Sequence, residues 1–299
     1  MTNSPRLAML AMVATTLLSA PAFAQDAGTL KKIKETGVIT LGHRESSIPF
    51  SYYDDKQQVI GYSQEFMLKA VEAIKADQKL DKLEIKLMPV TSANRITLIQ
   101  NGTVDIECGS TTNNTERQKQ VAFSNTIFVI GTKLMVKKDS GIKDFPDLAG
   151  KNVVTTAGTT SERLLRKMNE DKKMGMNVIS AKDHGESFLT LETGRAVAFM
   201  MDDALLYGET AKAKRPADWD VVGTAQSKEA YGCMVRKDDA AFKKVVDSAI
   251  ASVMASGDAV KIYNKWFMAP IPPKGLNLNM PLSDEMKALY KAPNDKAFE

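Results

Sequence analysis

Twice along this chain a short apolar run breaks into hydroxyl-bearing residues and opens at once into a helix-forming stretch. The first break follows Val104 and Ile106 and runs Cys108-Gly109-Ser110-Thr111-Thr112-Asn113-Asn114-Thr115 before Glu116 and Arg117. The second follows Val153 and Val154 and runs Thr155-Thr156-Ala157-Gly158-Thr159-Thr160-Ser161-Glu162, ahead of Leu164, Leu165 and Met168. Apolar runs of this kind read as buried strands, and Ser, Thr and Asn cap the helix that follows. Glu116 to Val121 has helical composition, and Thr159 with Glu162 has the spacing of a capping box. Strands and helices alternating in this way build parallel sheets, whose ligands bind beyond the carboxyl ends of the strands. A helix start brings unsatisfied N–H groups and partial positive charge. Beside the Arg117 guanidinium it suits a carboxylate or a phosphate. The plainer alternative is a capped helix carrying a surface arginine.

Residues 1–24 read as an export signal. Arg6 is the basic start, Leu7 to Ala20 is apolar over about fourteen residues, and Ala22-Phe23-Ala24 has the small-x-small form of a cleavage site. The run is shorter than the roughly 20 residues needed to span a bilayer, and no second apolar stretch approaches that length. Cleavage after Ala24 and a soluble, extracytoplasmic mature chain are expected, with no lipid anchor, because no Cys follows the apolar run. The leader carries one Arg and no acid, which leaves +3 of the net +4 on the rest, too weak a balance to point to nucleic acid. A hydrophobic content of 43% with 25% charged residues is ordinary for a globular protein, and the length suggests roughly two domains. Cys108 and Cys233 are the only 2 cysteines; an oxidising compartment favours a disulfide between them, with two buried free thiols as the alternative. His43 and His184 are the only 2 histidines, little material for a metal site.

Taken in order, Leu30 and Ile33 fit a short helix stopped at Gly37, and Val38 to Leu41 a strand that leaves Arg44 just past its end. Ser63 is expected to cap a helix bearing Phe66, Met67, Ala70, Val71 and Ile74 on one face. Leu83 to Met88 reads as a strand closed by Pro89, and Thr91-Ser92 opens a short helix whose first turn holds Ser92 and Arg95. Ile127 to Val136 is a long strand, and the polar stretch from Lys137 to Gly150 carries the chain towards a second domain. Val178 and Ile179 precede Asp183-His184-Gly185, a helix is expected from Ser187 to Gly194, and Ala196 to Met201 ends in Asp202-Asp203. Asp220 to Val222 and Tyr231 to Val235 flank a polar segment that returns the chain to the first domain. Phe242, Val245, Val246, Ala249, Ile250 and Val253 form an amphipathic helix, Trp266 and Phe267 plug the core, and Met286 and Leu289 mark a last short helix.

Five of these runs, Gly42 to Ser46, Cys108 to Arg117, Gly158 to Ser161, Asp183 to Gly185 and Asp202 to Leu206, together resemble one family in order along nearly the whole chain after the leader. It is the polar amino-acid group of periplasmic solute-binding proteins of ABC importers, and within it the glutamate/aspartate-binding subset. The resemblance implies an α/β, two-lobed periplasmic-binding-protein fold (type II), each lobe a sheet flanked by helices, joined by two hinge strands and closing over a ligand. It places lobe 1 in residues 25–130 and 228–299 and lobe 2 in residues 131–227, with hinges near Ile127 to Lys133 and Gly223 to Ala230. It implies a monomer in the periplasm that takes up L-glutamate or L-aspartate for a membrane permease, without a cofactor or nucleic acid.

Carried over residue by residue, Arg117 grips the ligand α-carboxylate with help from Ser110 and Thr112, and Asp202 takes the α-ammonium, with Asp203 a competing choice. Thr160, with Thr159 and Ser161 as further candidates, completes these contacts from the second lobe. Arg44, Ser92, Arg95 and His184 resemble the set that binds an acidic side chain. Asn113 and Asn114 depart from the commoner family turn in a way that resembles the acidic-ligand subset. Physical chemistry points the same way: with Arg117 and Asp202 matched to the two α-groups, Arg44 and Arg95 are cations that require another anion. If His184 donates as an imidazolium, affinity is fullest below its free-protein pKa and weakens as pH rises; a neutral donor leaves affinity independent of pH.

Two other uses of such a fold compete. Periplasmic dehydratases acting on carboxylates resemble it, and so does a soluble amino-acid sensor. Asp202, His184 or Ser110 would then be the groups available for catalysis. The chain has neither a G-x-S-x-G elbow nor a Gly-rich P-loop with Lys, so no catalytic residue is assigned.

Overall fold

The computed structural model describes residues 28–298; the export signal and its cleavage after Ala24 lie outside them. Each of two lobes is built on a sheet. In the first, Glu84–Pro89, Val38–His43 and Ile106–Glu107 lie side by side and parallel, followed by Met234–Arg236, antiparallel to its neighbours, and Val121–Phe123. In the second, Asn177–Ala181, Asn152–Thr156 and Ala198–Asp202 run parallel, with Phe128–Lys137 antiparallel beside the last.

Phe128–Lys137 joins the lobes. Its far half, from Thr132 to Val136, pairs with Ala198–Asp202, while Phe128 to Gly131 pairs with the returning strand Lys228–Tyr231. The single strand expected from Tyr231 to Val235 is two strands, because Gly232 and Cys233 carry the chain from one sheet to the other. Cys108 and Cys233 are bridged, and the neighbouring Met234 lies opposite Glu107 in the first sheet.

The helices Tyr62–Asp77, Ala240–Ala255 and Asp258–Phe267 cover the first lobe. Their apolar faces close on rings from the crossing strands: Phe128 stacks on Phe267 with centroids 4.8 Å apart and meets Phe50 edge-on at 4.9 Å. These contacts anchor the lobe 1 end of the crossing, since aromatic pairs at such spacing add to the burial of their faces. The second lobe has its own core of Leu134, Val136, Phe145, Leu148, Val153, Leu165 and Met200. Among the described residues no helix is long and apolar enough to cross a membrane.

Several local expectations are corrected. Gly61, not Ser63, precedes the helix Tyr62–Asp77, and the Ser63 hydroxyl instead donates to the Gly109 carbonyl at 2.8 Å. The helix after Ser92 is Arg95–Gln100, so Ser92 lies in the preceding turn. The helix expected from Glu116 to Val121 is a single turn, Thr115–Gln118, capped by Asn114, and Val121 already belongs to a strand. The helix expected from Ser187 begins at His184, because the Asp183 carboxylate accepts from the Glu186 N–H at 2.9 Å and takes the cap position.

Candidate functional site

Three guanidinium groups and three carboxylates are buried where the lobes meet. Arg44, Arg95 and Arg117 are 1%, 1% and 8% exposed, and Glu107, Asp202 and Glu229 are 0%, 2% and 4% exposed. Burying charges costs several kcal/mol each unless they are paired and hydrogen-bonded, so their partners define what the site can accept.

From the first lobe, the strand Val38–His43 delivers Arg44 and the strand Ile106–Glu107 delivers Glu107 and the turn after it. A Cβ at Gly109 would lie 2.5 Å from Glu107 Oε1 and 2.7 Å from Arg44 Cγ. Only glycine lets the Arg44 stem pass over the turn there. Arg44 Nη1 donates to Ser110 Oγ at 3.3 Å, and Ser110 donates onward to Ser47 Oγ at 3.2 Å. Arg95 Nη1 donates to the Ser110 carbonyl at 3.1 Å and to the Thr111 hydroxyl, which donates to Glu107 Oε2 at 2.7 Å. Glu107 thus already answers one of the two cations that the sequence left uncompensated. Arg117 Nη1 donates to the Thr112 carbonyl at 2.9 Å, and its Nη2 reaches across to the Gly158 carbonyl of the second lobe at 3.2 Å.

From the second lobe, Asp202 accepts from Thr132 Oγ1 at 2.9 Å, from Ser161 Oγ at 3.3 Å and from the Tyr231 hydroxyl. Asp203 is the first residue of the helix Asp203–Lys212 and is only partly buried. Asp202 is therefore the member of the pair that faces the buried guanidinium groups. Thr160 Oγ1 donates to Glu229 Oε2 at 3.0 Å. The Thr159 hydroxyl is engaged in the helix cap, donating to the Thr156 carbonyl at 2.6 Å and accepting from the Glu162 N–H at 3.0 Å. The reciprocal half of the expected capping box is displaced by one residue: Glu162 Oε2 accepts from the Gly158 N–H.

His184, at the first position of its helix, is 1% exposed, with Nδ1 2.9 Å from Thr156 Oγ1. Among the described residues, four buried atoms of this region have no hydrogen-bond partner: Ser92 Oγ, Arg95 Nε, His184 Nε2 and Glu107 Oε1. The first two are donors and the third is a ring nitrogen, and all three belong to residues expected to face an acidic side chain. Unpaired buried groups of this kind are uncommon in folded proteins and are uncompensated until a ligand answers them.

The electrostatics follow from burial and like charge. Burial first, and Arg95 second, push Arg44 down to about 10, against the pull of Glu107 and Asp183. The same two causes push Arg117 down to about 9, and burial lowers Arg95. All three remain cations at neutral pH. Burial, then Arg44, Arg95 and Lys212, hold His184 well below the usual histidine range, so the free protein favours its neutral ring. Burial, then the neighbouring Glu229, push Asp202 up to about 7.

The lobes touch around this cluster. Ser46 Oγ donates to Asp183 Oδ1 at 3.3 Å and accepts from the Gly185 N–H at 3.3 Å. Gly158 lies against the backbone of Ala93, where a Cβ would sit 2.6 Å from Ala93 Cα. The expected residues Arg44, Ser92, Arg95, Ser110, Thr112, Arg117, Thr160, His184 and Asp202 all border this junction. Ser110 sits at the Arg44 end rather than beside Arg117. Sequence reasoning missed Glu107, Thr111, Thr132, Ser227, Glu229 and Tyr231. An acid between the apolar residues Ile106 and Cys108 was a legible signal for Glu107. Glu229, in a polar return segment, carried none.

Comparison with known proteins agrees with this architecture. The chain is 67% identical over 298 residues to the L-glutamate/L-aspartate-binding protein of Pseudomonas aeruginosa, covering 99% of this chain and 98% of the relative. It is 62% identical over 298 residues to the glutamate/aspartate import solute-binding protein of Escherichia coli K12, covering 99% of each. Among solved structures, an ancestral arginine-binding protein bound to arginine matches with a TM-score of 0.70 at 28% identity, covering 77% of this chain and 98% of that one. Residues 39–269 match the family model described as bacterial extracellular solute-binding proteins, family 3. The chain is a member of that family.

Proposed function

We propose that this protein captures L-glutamate and L-aspartate in the cleft by lobe closure and delivers them to the membrane permease of an ABC importer. The observation that carries the ligand choice is the set of unpaired buried groups, Ser92 Oγ, Arg95 Nε and His184 Nε2. An amino acid's α-carboxylate suits Arg117, with Thr112 and Thr160 beside it, and its α-ammonium suits Asp202. A second carboxylate answers Ser92, Arg95, His184 and Arg44, with Ser110 at the Arg44 end. We assign Thr159 no side-chain contact, because its hydroxyl is held in the cap.

Relatives named for glutamate and aspartate binding and import support this reading over an enzyme or a sensor. The chain works in the periplasm, with residues 1–24 removed as a signal peptide. The boundaries that fit are residues 25–130 and 228–299 for lobe 1 and residues 131–227 for lobe 2; the change of pairing partner between Gly131 and Thr132 supports them. Contacts from both lobes to one ligand lower the free energy of the closed form, and differential affinity drives the closure. Calorimetric titration of the ligand-stripped mature protein tests the proposal: one saturable site for each acid is expected, and no binding of either would overturn it.

A further inference from the structure

The two carboxylates on the hinge side of the cleft are joined by a chain of two hydroxyls. Asp202 Oδ1 lies 2.9 Å from Thr132 Oγ1, Thr132 Oγ1 lies 2.7 Å from Ser227 Oγ, and Ser227 Oγ lies 2.6 Å from Glu229 Oε1. Each contact is a hydrogen bond and needs one proton. Thr132 and Ser227 carry one hydroxyl proton each. Three bonds therefore hold only two hydroxyl protons, and the third has to come from a carboxyl at one end. We infer that Asp202, Thr132, Ser227 and Glu229 form a proton-binding relay in the hinge, holding one proton that sets the net charge the cleft accepts.

The charge count gives the proton its use, on the ligand reading proposed above. Arg117 matches the α-carboxylate and Asp202 the α-ammonium. Glu107 answers one of Arg44 and Arg95, and the ligand's side-chain carboxylate answers the other. Glu229 is then a buried negative charge with no counterpart, and the relay proton neutralises it. When an ammonium group sits at Asp202, both hydroxyls point towards that end, so Asp202 stays ionised and the proton rests at the Glu229 end. Below the free relay's midpoint no proton is exchanged with solvent on binding and the relay only reverses its direction within three hydrogen bonds; above it, binding takes up one proton.

The charged and titratable groups facing the relay fit this arrangement. Arg117 and Arg95 act through their charge on Asp202, Arg117 acts on Glu229, Asp203 adds a further negative charge, and the Tyr231 hydroxyl donates to Asp202 Oδ2. Thr160 and Ser161 donate to the two carboxylates from the helix of the second lobe. Burial and the proximity of Glu229 push Asp202 up to about 7. Hence the free relay gives up its proton on passing through neutrality, whereas a bound dicarboxylate holds it to higher pH. Affinity for the acidic ligand is full below that midpoint and falls above it.

The test is the affinity for L-glutamate from pH 6 to pH 8, compared between the wild-type protein and Glu229→Gln. With a midpoint of about 7, the wild type weakens about tenfold across that range. The amide of the variant donates to Ser227 and completes all three bonds without a carboxyl proton. Its affinity therefore lacks that tenfold change and exceeds the wild type's about tenfold at pH 8. Any titration of His184 is common to both proteins and cancels in the comparison. Equal pH slopes in the two proteins, or a wild-type affinity that rises with pH, would overturn the relay. Carbon-13 carboxyl resonances of the ligand-free wild type test it independently of the ligand. One of the pair titrating near neutrality supports the bound proton, and both ionised down to pH 5 would refute it. If glutamate does not bind at all, the ligand reading fails, and the resonance experiment still decides the relay.

Discussion

Replacing Gly158 by alanine isolates the contribution of lobe closure. A Cβ at this position would lie 2.6 Å from Ala93 Cα, 2.7 Å from Ala93 N and 2.9 Å from Ser92 C. All three are backbone atoms of the opposite lobe, so relief requires the lobes to move apart. Forcing an extra methyl into a close-packed contact costs about 1–3 kcal/mol. Because the contact exists only when the lobes meet, that cost falls on the closed form, and affinity for glutamate should weaken by roughly 5- to 150-fold. Gly158 also has φ +76, a left-handed backbone that costs a residue with a Cβ about 1–2 kcal/mol, but open and closed forms share this. Gly194 supplies the control, with φ +76 and nothing within 4 Å of its Cβ position. Gly194→Ala should lower the thermal midpoint about as much as Gly158→Ala while leaving the Kd in place. Calorimetric titration and thermal melts of the two variants make the comparison. An unchanged Kd in Gly158→Ala would refute closure through this contact, and equal losses of affinity in both variants would trace the effect to backbone strain instead.

Arg117→Ala should weaken glutamate binding by at least about thirtyfold, the low end of roughly 2–5 kcal/mol for truncating one side of a buried charged pair. Its protein partners are the Thr112 and Gly158 carbonyls, so the melt should shift little; loss of folding instead would assign it a structural role. Replacing Cys108 and Cys233 together by serine opens a cross-link between residues 125 apart. In the chain-entropy account this lowers stability by about 4–5 kcal/mol, and an unchanged denaturant midpoint would contradict it.

Much of the site was legible because its residues occupy places that strand and turn patterns identify. Arg44 follows a strand, Ser110 to Arg117 follow another, and Asp202 ends a third. The helix at His184 is also readable, since Asp183 and Glu186 have capping-box spacing and Asp183 is a stronger cap than a start at Ser187 offers. What sequence could not supply was the accounting of partners. Asp202 and Asp203 are adjacent acids, and only the packed structure shows which one points into the cation cluster. Sequence leaves Arg95 uncompensated as well as Arg44 because Glu107 meets Arg95 only through Thr111, a contact that depends on how the turn folds back. Thr132 lies 95 residues before Ser227 and its neighbour Glu229, and they come together only because the two crossing strands pair. The anion site read from a helix start has a different physical basis as well: that helix is one turn long, and the Arg117 guanidinium carries the charge.

On the proposed reading, the buried groups at Ser92, Arg95 and His184, with Arg44, await a second carboxylate. The most direct test is the ratio of Kd values for L-glutamine and L-glutamate on one ligand-stripped sample near pH 6. The two ligands share both α-groups and differ only at the side-chain terminus, a carboxylate in one and a neutral amide in the other. Leaving the remaining buried cation unanswered costs at least about 2 kcal/mol, so glutamine should bind at least about thirtyfold more weakly. Equal affinity for the two would contradict the acidic pocket.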